Sequence, residues 1–98
     1  MKITIKGKEI EIKSKIRAYL IWEQITKKPF NPITFTEILI YLYSLILANE
    51  KNIQLTFEEF LEFIDDNTNV MDEFNKWIIT QNEISNQFAD VKKKMENQ

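Results

Sequence analysis

Ninety-eight residues, 44% of them hydrophobic, suffice for one modest core and leave no room for a second independent one. The chain has no cysteine and no histidine, which excludes disulfide frameworks, thiolate metal sites, thiol nucleophiles and the usual general base. The formal net charge of −2 conceals a division: residues 1–28 carry eight Lys/Arg against three Glu, and residues 29–75 carry one Lys against nine acids. A nucleic-acid binder gathers a basic excess on one face, whereas this balance suits a protein partner or self-association.

The opening MKITIKGKEIEIK alternates apolar and charged residues, which is the period of a half-buried strand and not the continuous apolar stretch of a secretory signal. A turn centred on Gly7-Lys8 would be type II′ and would set Ile5 opposite Ile10 and Ile3 opposite Ile12. All four isoleucines then share one face, with Lys2, Thr4, Lys6, Glu9, Glu11 and Lys13 on the other. An isolated hairpin is marginal in water, so the isoleucine face requires helices to lie on.

Ser14 is placed to cap a helix over residues 15–27, in which Ile16, Tyr19, Leu20, Ile21, Trp22 and Ile25 give a broad apolar surface; Pro29 and Pro32 stop it. In 33-ITFTEI-38, Thr34 and Glu37 stand three apart as a capping box, flanked by Ile33 and Ile38 as a hydrophobic staple. The helix that follows, to about Ala48, contains the most apolar window, 38-ILIYLYSLILA-48. Eleven residues fall short of the roughly 20 that span a bilayer, so this reads as a buried central helix in a cytoplasmic protein.

The same device recurs in 55-LTFEEF-60, with Thr56 and Glu59 as the box and Leu55 and Phe60 as the staple. Phe57, Phe60, Leu61 and Ile64 then mark one face of a short third helix, and Glu58, Glu59 and Glu62 face water. After the turn-forming residues 65–69, a fourth helix starts near Val70. Val70, Phe74, Trp77, Gln81, Ile84, Phe88, Val91 and Met95 alternate spacings of four and three, an a/d seam through more than three heptads. Met71, Ile78 and Ile79 widen the stripe as a core-facing helix needs. Beyond Ile79 it narrows to a seam that suits a partner helix or a frayed tail better than a full core.

Signals of chemistry are weak. Asp65, Asn67 and Asn69 occupy the first, third and fifth positions of a calcium loop, but Val70 stands where that loop needs glycine and Lys76 where it needs a bidentate glutamate. Nothing places Glu58, Glu59, Glu62, Asp65 and Asp66 as a facing pair for acid/base work, and Ser14, Ser44 and Ser85 have no histidine to activate them. The expectation is a binding protein: not an enzyme, with no metal and no cofactor. The lysines of the hairpin rim, Lys2, Lys6, Lys8, Lys13 and Lys15, could touch phosphates but lack exposed aromatics for stacking.

The order of parts is more informative than any one of them. A glycine-turn hairpin is followed by 17-RAYLIWEQITKKPFN-31, an aliphatic helix ending 45-LILAN-49, then 55-LTFEEFLEFID-65 and a helix containing 74-FNKWI-78. This order resembles the tail assembly chaperones of long-tailed, siphovirus-like bacteriophages and prophages, over residues 1 to about 80. The matching features are Arg17-Ala18 followed by Glu23 and Thr26-Lys27, the Leu47-Ala48 ending of the central helix, and Leu55 to Phe60 opening the next. Lys28-Pro29-Phe30 stands where relatives have a glycine-containing turn.

The resemblance implies a protein that coats the long, helical tape measure protein, keeps it soluble until tail tube subunits polymerise around it, and is absent from the finished virion. The major tail tube protein is a further partner under this reading, and the division of charge along the chain allows self-association. A programmed frameshift in such families appends a second domain to some molecules, and Lys92-Lys93-Lys94 would be encoded by a slippery run of adenines.

The expected architecture is α+β, mainly α, with an N-terminal hairpin on a bundle of about four helices over residues 1–80 and a C-terminal helical extension and mobile tail over residues 81–98. Trp77, Ile84, Phe88, Val91 and Met95 are the expected partner-binding residues. The alternative is a small helical adaptor or regulatory module with DNA contacts through the basic hairpin.

Overall fold

Alternating isoleucine with lysine and glutamate produces an antiparallel hairpin of β1 (Lys2–Ile5) and β2 (Lys8–Glu11). Four helices follow, α1 (Ile16–Thr26), α2 (Phe35–Asn49), α3 (Phe57–Asp66) and α4 (Asn69–Glu96), an α+β arrangement that is mainly α. A computed structural model describes the backbone of residues 1–96 and the side chains of residues 1–82. The chain divides between Thr68 and Asn69 into two compact units.

The hairpin register differs from the expected one. Ile3 pairs with Ile10 and Thr4 with Glu9, so the turn is centred on Lys6-Gly7, one residue earlier, and each pairing moves by two. Both central residues have positive φ, 52° at Lys6 and 74° at Gly7, the pattern of a type I′ turn and not type II′. A shift of two leaves every side chain on its original face, because the strand period is two. Ile3, Ile5, Ile10 and Ile12 are therefore all buried as expected. The ladder extends one step through the Ile12 amide, which donates to the Met1 carbonyl at 2.7 Å.

Ser14 does not cap α1. Lys15 takes the N-cap position without a side-chain bond, and the Ser14 hydroxyl lies 3.2 Å from the Tyr19 hydroxyl instead. The helix ends before either proline: Lys27 adopts the left-handed conformation (φ 61°), and its amide donates to the Glu23 carbonyl at 2.8 Å. The apolar surface of α1 is wider than its neighbour can cover. Ala18 and Trp22 are buried, whereas Ile16 and Leu20 remain 76% and 55% exposed.

Helix α2 is the centre of the first unit. Leu39, Tyr41, Leu42, Ser44, Leu45, Ile46 and Ala48 are buried around its circumference, as a helix apolar on all sides requires. Ser44 satisfies its hydroxyl internally by donating to the Ile40 carbonyl at 2.7 Å. Residues two apart point about 200° apart on a helix, and the tyrosines show it. Tyr41 lies 6.3 Å from Tyr19 on α1, and Tyr43 lies 5.3 Å and 5.5 Å from Phe57 and Phe60 on α3. Helices α1 and α3 thus flank opposite sides of α2.

Both capping boxes form in full, each threonine hydroxyl accepting from the glutamate amide three residues on and each glutamate carboxylate accepting from the threonine amide. Their staple positions differ: Leu55 and Phe60 are buried, whereas Ile33 stays 71% exposed. In the second unit, Val70, Met71 and Phe74 are buried, Trp77 and Ile78 are half-buried, and Ile79 is 57% exposed. Ile79 therefore does not widen a buried stripe as expected; among the described residues of α4, full burial ends at Phe74.

A lysine in the left-handed region carries a steric cost that glycine lacks. Lys27→Gly is expected to raise the unfolding free energy by about 0.5–1 kcal/mol, since the amide bond to Glu23 is kept, and urea denaturation measures it.

Candidate interaction surface

The turn between α1 and α2 has to reverse the chain without a glycine, and two glutamates hold it. Glu23 carries both ends of the reversal: its carbonyl accepts from the Lys27 amide, and its carboxylate accepts from the Phe30 amide at 2.7 Å. Glu37, in the first turn of α2, accepts from the Lys28 ammonium at 2.8 Å and from the amides of Ile33 and Thr34 at 3.1 Å and 3.0 Å. Those bonds direct Phe30 inward, where its ring lies 4.4 Å from Tyr19, 5.2 Å from Trp22 and 5.0 Å from Tyr41. The Trp22 indole, fully buried, donates to the Glu37 carbonyl at 2.9 Å.

An open depression of about 450 Å³ lies over this turn, lined by Lys28, Pro29, Asn31, Ile33, Thr34 and Glu37. Its one carboxylate is fully engaged. The Lys28 ammonium, then the Thr34 and Ile33 amides, hold the Glu37 carboxyl down at about 2, so it stays charged and is no acid or base near neutral pH. A second depression of about 260 Å³ is lined by Ile5, Lys6, Leu55, Glu59, Glu62, Phe63 and Asp66. There Lys6 sits 2.6 Å from Glu59, whose carboxyl is likewise held down at about 2 by Lys6 first and by the Thr56 amide next. The Tyr43 phenol donates to the Leu55 carbonyl at 2.7 Å; burial, and then the Glu59 charge, push its pKa up and keep it a donor.

Glu37 and Glu59 are thus both held by a lysine and by backbone amides. The hairpin rim is already largely neutralised: Lys2 pairs with Glu9 at 3.5 Å, Lys6 with Glu59, and Lys8 with Glu50 at 3.7 Å. Lys13 and Lys15 have no ion-pair partner among the described residues. Two of the five rim lysines therefore remain for phosphates. Among the described residues no group of three acidic side chains could hold a metal ion, and no helix is long and apolar enough to cross a membrane.

Of the expected partner-binding residues, Trp77 is half-buried and stacks on Phe74, ring centroids 5.8 Å apart at 16°. Ile84, Phe88, Val91 and Met95, and the triple lysine 92–94, lie outside the residues whose side chains are described. Sequence reasoning did not foresee Phe30 as an aromatic anchor, nor Glu37 as more than a cap. The flanking Pro29 and Pro32 are the signal that could have shown it, because they fix the chain on both sides of a single large apolar residue. No family model, curated protein or solved structure matches the chain.

The two depressed carboxyls fix an acid limit. Their folded values near 2 lie below the ordinary 4.5, so the stability they contribute is complete above about 4.5 and is lost as pH falls toward 2. Urea denaturation from pH 5 to pH 2 should show this decline in the native chain. A shallower decline is expected in Glu37→Gln, and one shallower still in the double variant with Glu59→Gln.

Proposed function

We propose that this chain is a tail assembly chaperone of a long-tailed bacteriophage or prophage. It binds the tape measure protein and keeps it soluble while the tail tube assembles, in the host cytoplasm, without catalysis or cofactor, and is absent from the mature virion. The major tail tube protein is a further partner. The observation that carries the reading is α4: 28 helical residues, about 40 Å of helix, on which full burial among the described residues ends at Phe74.

An extended helix with apolar positions every three or four residues suits a helical client, because anchors at that spacing line one face. Polar residues between the anchors keep such a stripe from aggregating. Many copies along one long client give avidity, so each contact can be weak and reversible, as release to the incoming tail tube requires. The engaged carboxylates Glu37 and Glu59 favour binding over catalysis, since neither can shuttle a proton near pH 7.

Co-expression with the tape measure protein of the same gene neighbourhood tests this. Soluble tape measure protein is expected with the native chain and loss of most of it with Ile84→Ser/Phe88→Ser. Tape measure solubility that is the same with and without the chain would sink the reading. Solubility that requires the chain but survives the double substitution would move the contact off those two residues.

A further inference from the structure

Half of the cations in residues 1–28 are matched within the molecule: Lys2 with Glu9, Lys6 with Glu59, Lys8 with Glu50 and Lys28 with Glu37. Lys13, Lys15, Arg17 and Lys27 have no ion-pair partner among the described residues. Lys15 and Arg17 adjoin Ile16 at the start of α1, and Lys27 closes its other end, about 16 Å away. Between these ends Ile16 and Leu20, four residues and about 40° apart on the helix, remain 76% and 55% exposed. Buried Ala18 and Trp22 lie on the opposite side. The result is a short aliphatic stripe with unmatched positive charge at both ends.

This face is fixed from behind. The Asn49 side chain accepts from the Lys13 amide at 3.2 Å and donates to the Lys13 carbonyl at 2.9 Å, which ties the entry to α1 onto the end of α2. The Trp22 indole bond to the Glu37 carbonyl and the Lys27 amide bond to the Glu23 carbonyl fix the exit. A preformed face loses less freedom when a partner settles on it.

We propose that the outward face of α1 receives an acidic amphipathic helix of a different protein. Aliphatic residues three or four apart on that helix would lie along Ile16 and Leu20. Its Asp or Glu side chains at either end of the stripe would meet Lys15 and Arg17 at one end and Lys27 at the other. Charge complementarity selects this occupant, because a basic helix would add like charges to unmatched ones. Nucleic acid would leave Ile16 and Leu20 uncovered and would meet a chain of net charge −2. A bilayer interface calls for a broader apolar face than two side chains. Two aliphatic anchors between exposed charges give a reversible contact, with a dissociation constant on the order of 0.1–1 mM. The inference uses α1 alone and does not rest on the chaperone reading, whose contact lies on α4.

Nuclear magnetic resonance titration of the isotope-labelled full chain with two synthetic helical peptides tests it. Both carry the same leucine stripe; one has glutamates at its two ends, the other lysines. The acidic peptide is expected to shift the amide signals of Ile16, Arg17 and Leu20 and to bind about tenfold more tightly than the basic one at about 50 mM salt. At about 500 mM salt that preference should shrink, since exposed charges are then screened. Leu20→Ser should weaken the acidic peptide about tenfold, and Lys15→Glu/Arg17→Glu should invert the preference between the peptides. Circular dichroism melting verifies the fold of each variant. If the double reversal lowers the melting temperature, Lys15→Gln/Arg17→Gln replaces it and should abolish the preference. No shift up to about 2 mM acidic peptide overturns the proposal, as do equal affinities for the two peptides or shifts that leave α1 untouched. So does a face already occupied otherwise: phosphatidylserine vesicles or duplex DNA bound more tightly than the acidic peptide and released by the double reversal, or sedimentation showing copies of the chain held together through Lys15 and Arg17.

Discussion

The first unit depends on one carboxylate. Glu37 lies where the first turn of a helix leaves backbone amides without partners and where the helix dipole favours negative charge. It meets both needs and then adds a third bond, to the Lys28 ammonium, that closes the turn upon itself. With the turn closed, Phe30 has one place to go, among Tyr19, Trp22 and Tyr41. That aromatic cluster sets α1 against α2. The bond from the Trp22 indole to the Glu37 carbonyl ties the cluster back to the residue that began it. A capping residue thereby becomes the point at which loop, helix start and core are specified together.

The same economy governs charge. Carboxylates inside the turn and beside the hairpin are committed to amides and lysines, while Glu58, Glu62 and Asp65 on the outer side of α3 have no ion-pair partner among the described residues. Lys13, Lys15, Arg17 and Lys27, at and beside the ends of α1, likewise have none. Buried polar side chains are all satisfied among the described residues.

How much was legible in the residues follows from how local each signal is. The two capping boxes, Thr34 with Glu37 and Thr56 with Glu59, are interactions across three residues and form as their spacing requires. Isoleucine faces in the hairpin are likewise fixed by period, and they survive a register error of two. The turn type was not legible, since a lone glycine is compatible with the first central position of one turn and the second of another. Nor was the exposure of Ile16 and Leu20: an apolar residue announces that burial would be favourable, and only the number of neighbours decides whether it happens. The surface formed by α4 was legible only as a spacing, and most of its expected contact residues lie beyond the described side chains.

The hairpin turn has a kinetic consequence. A left-handed lysine at position 6 is costly on its own, and its ammonium reaches Glu59 and the carbonyl of Gln54, contacts across about fifty residues of chain. Locally the alternative turn costs little and buries the same faces, so the two registers compete until the opening of α3 is in place. Contacts between α1 and α2 close a much shorter loop and form sooner. The strands at the start of the chain are therefore among the last parts to settle, and the cap of a helix far along the sequence selects their final alignment.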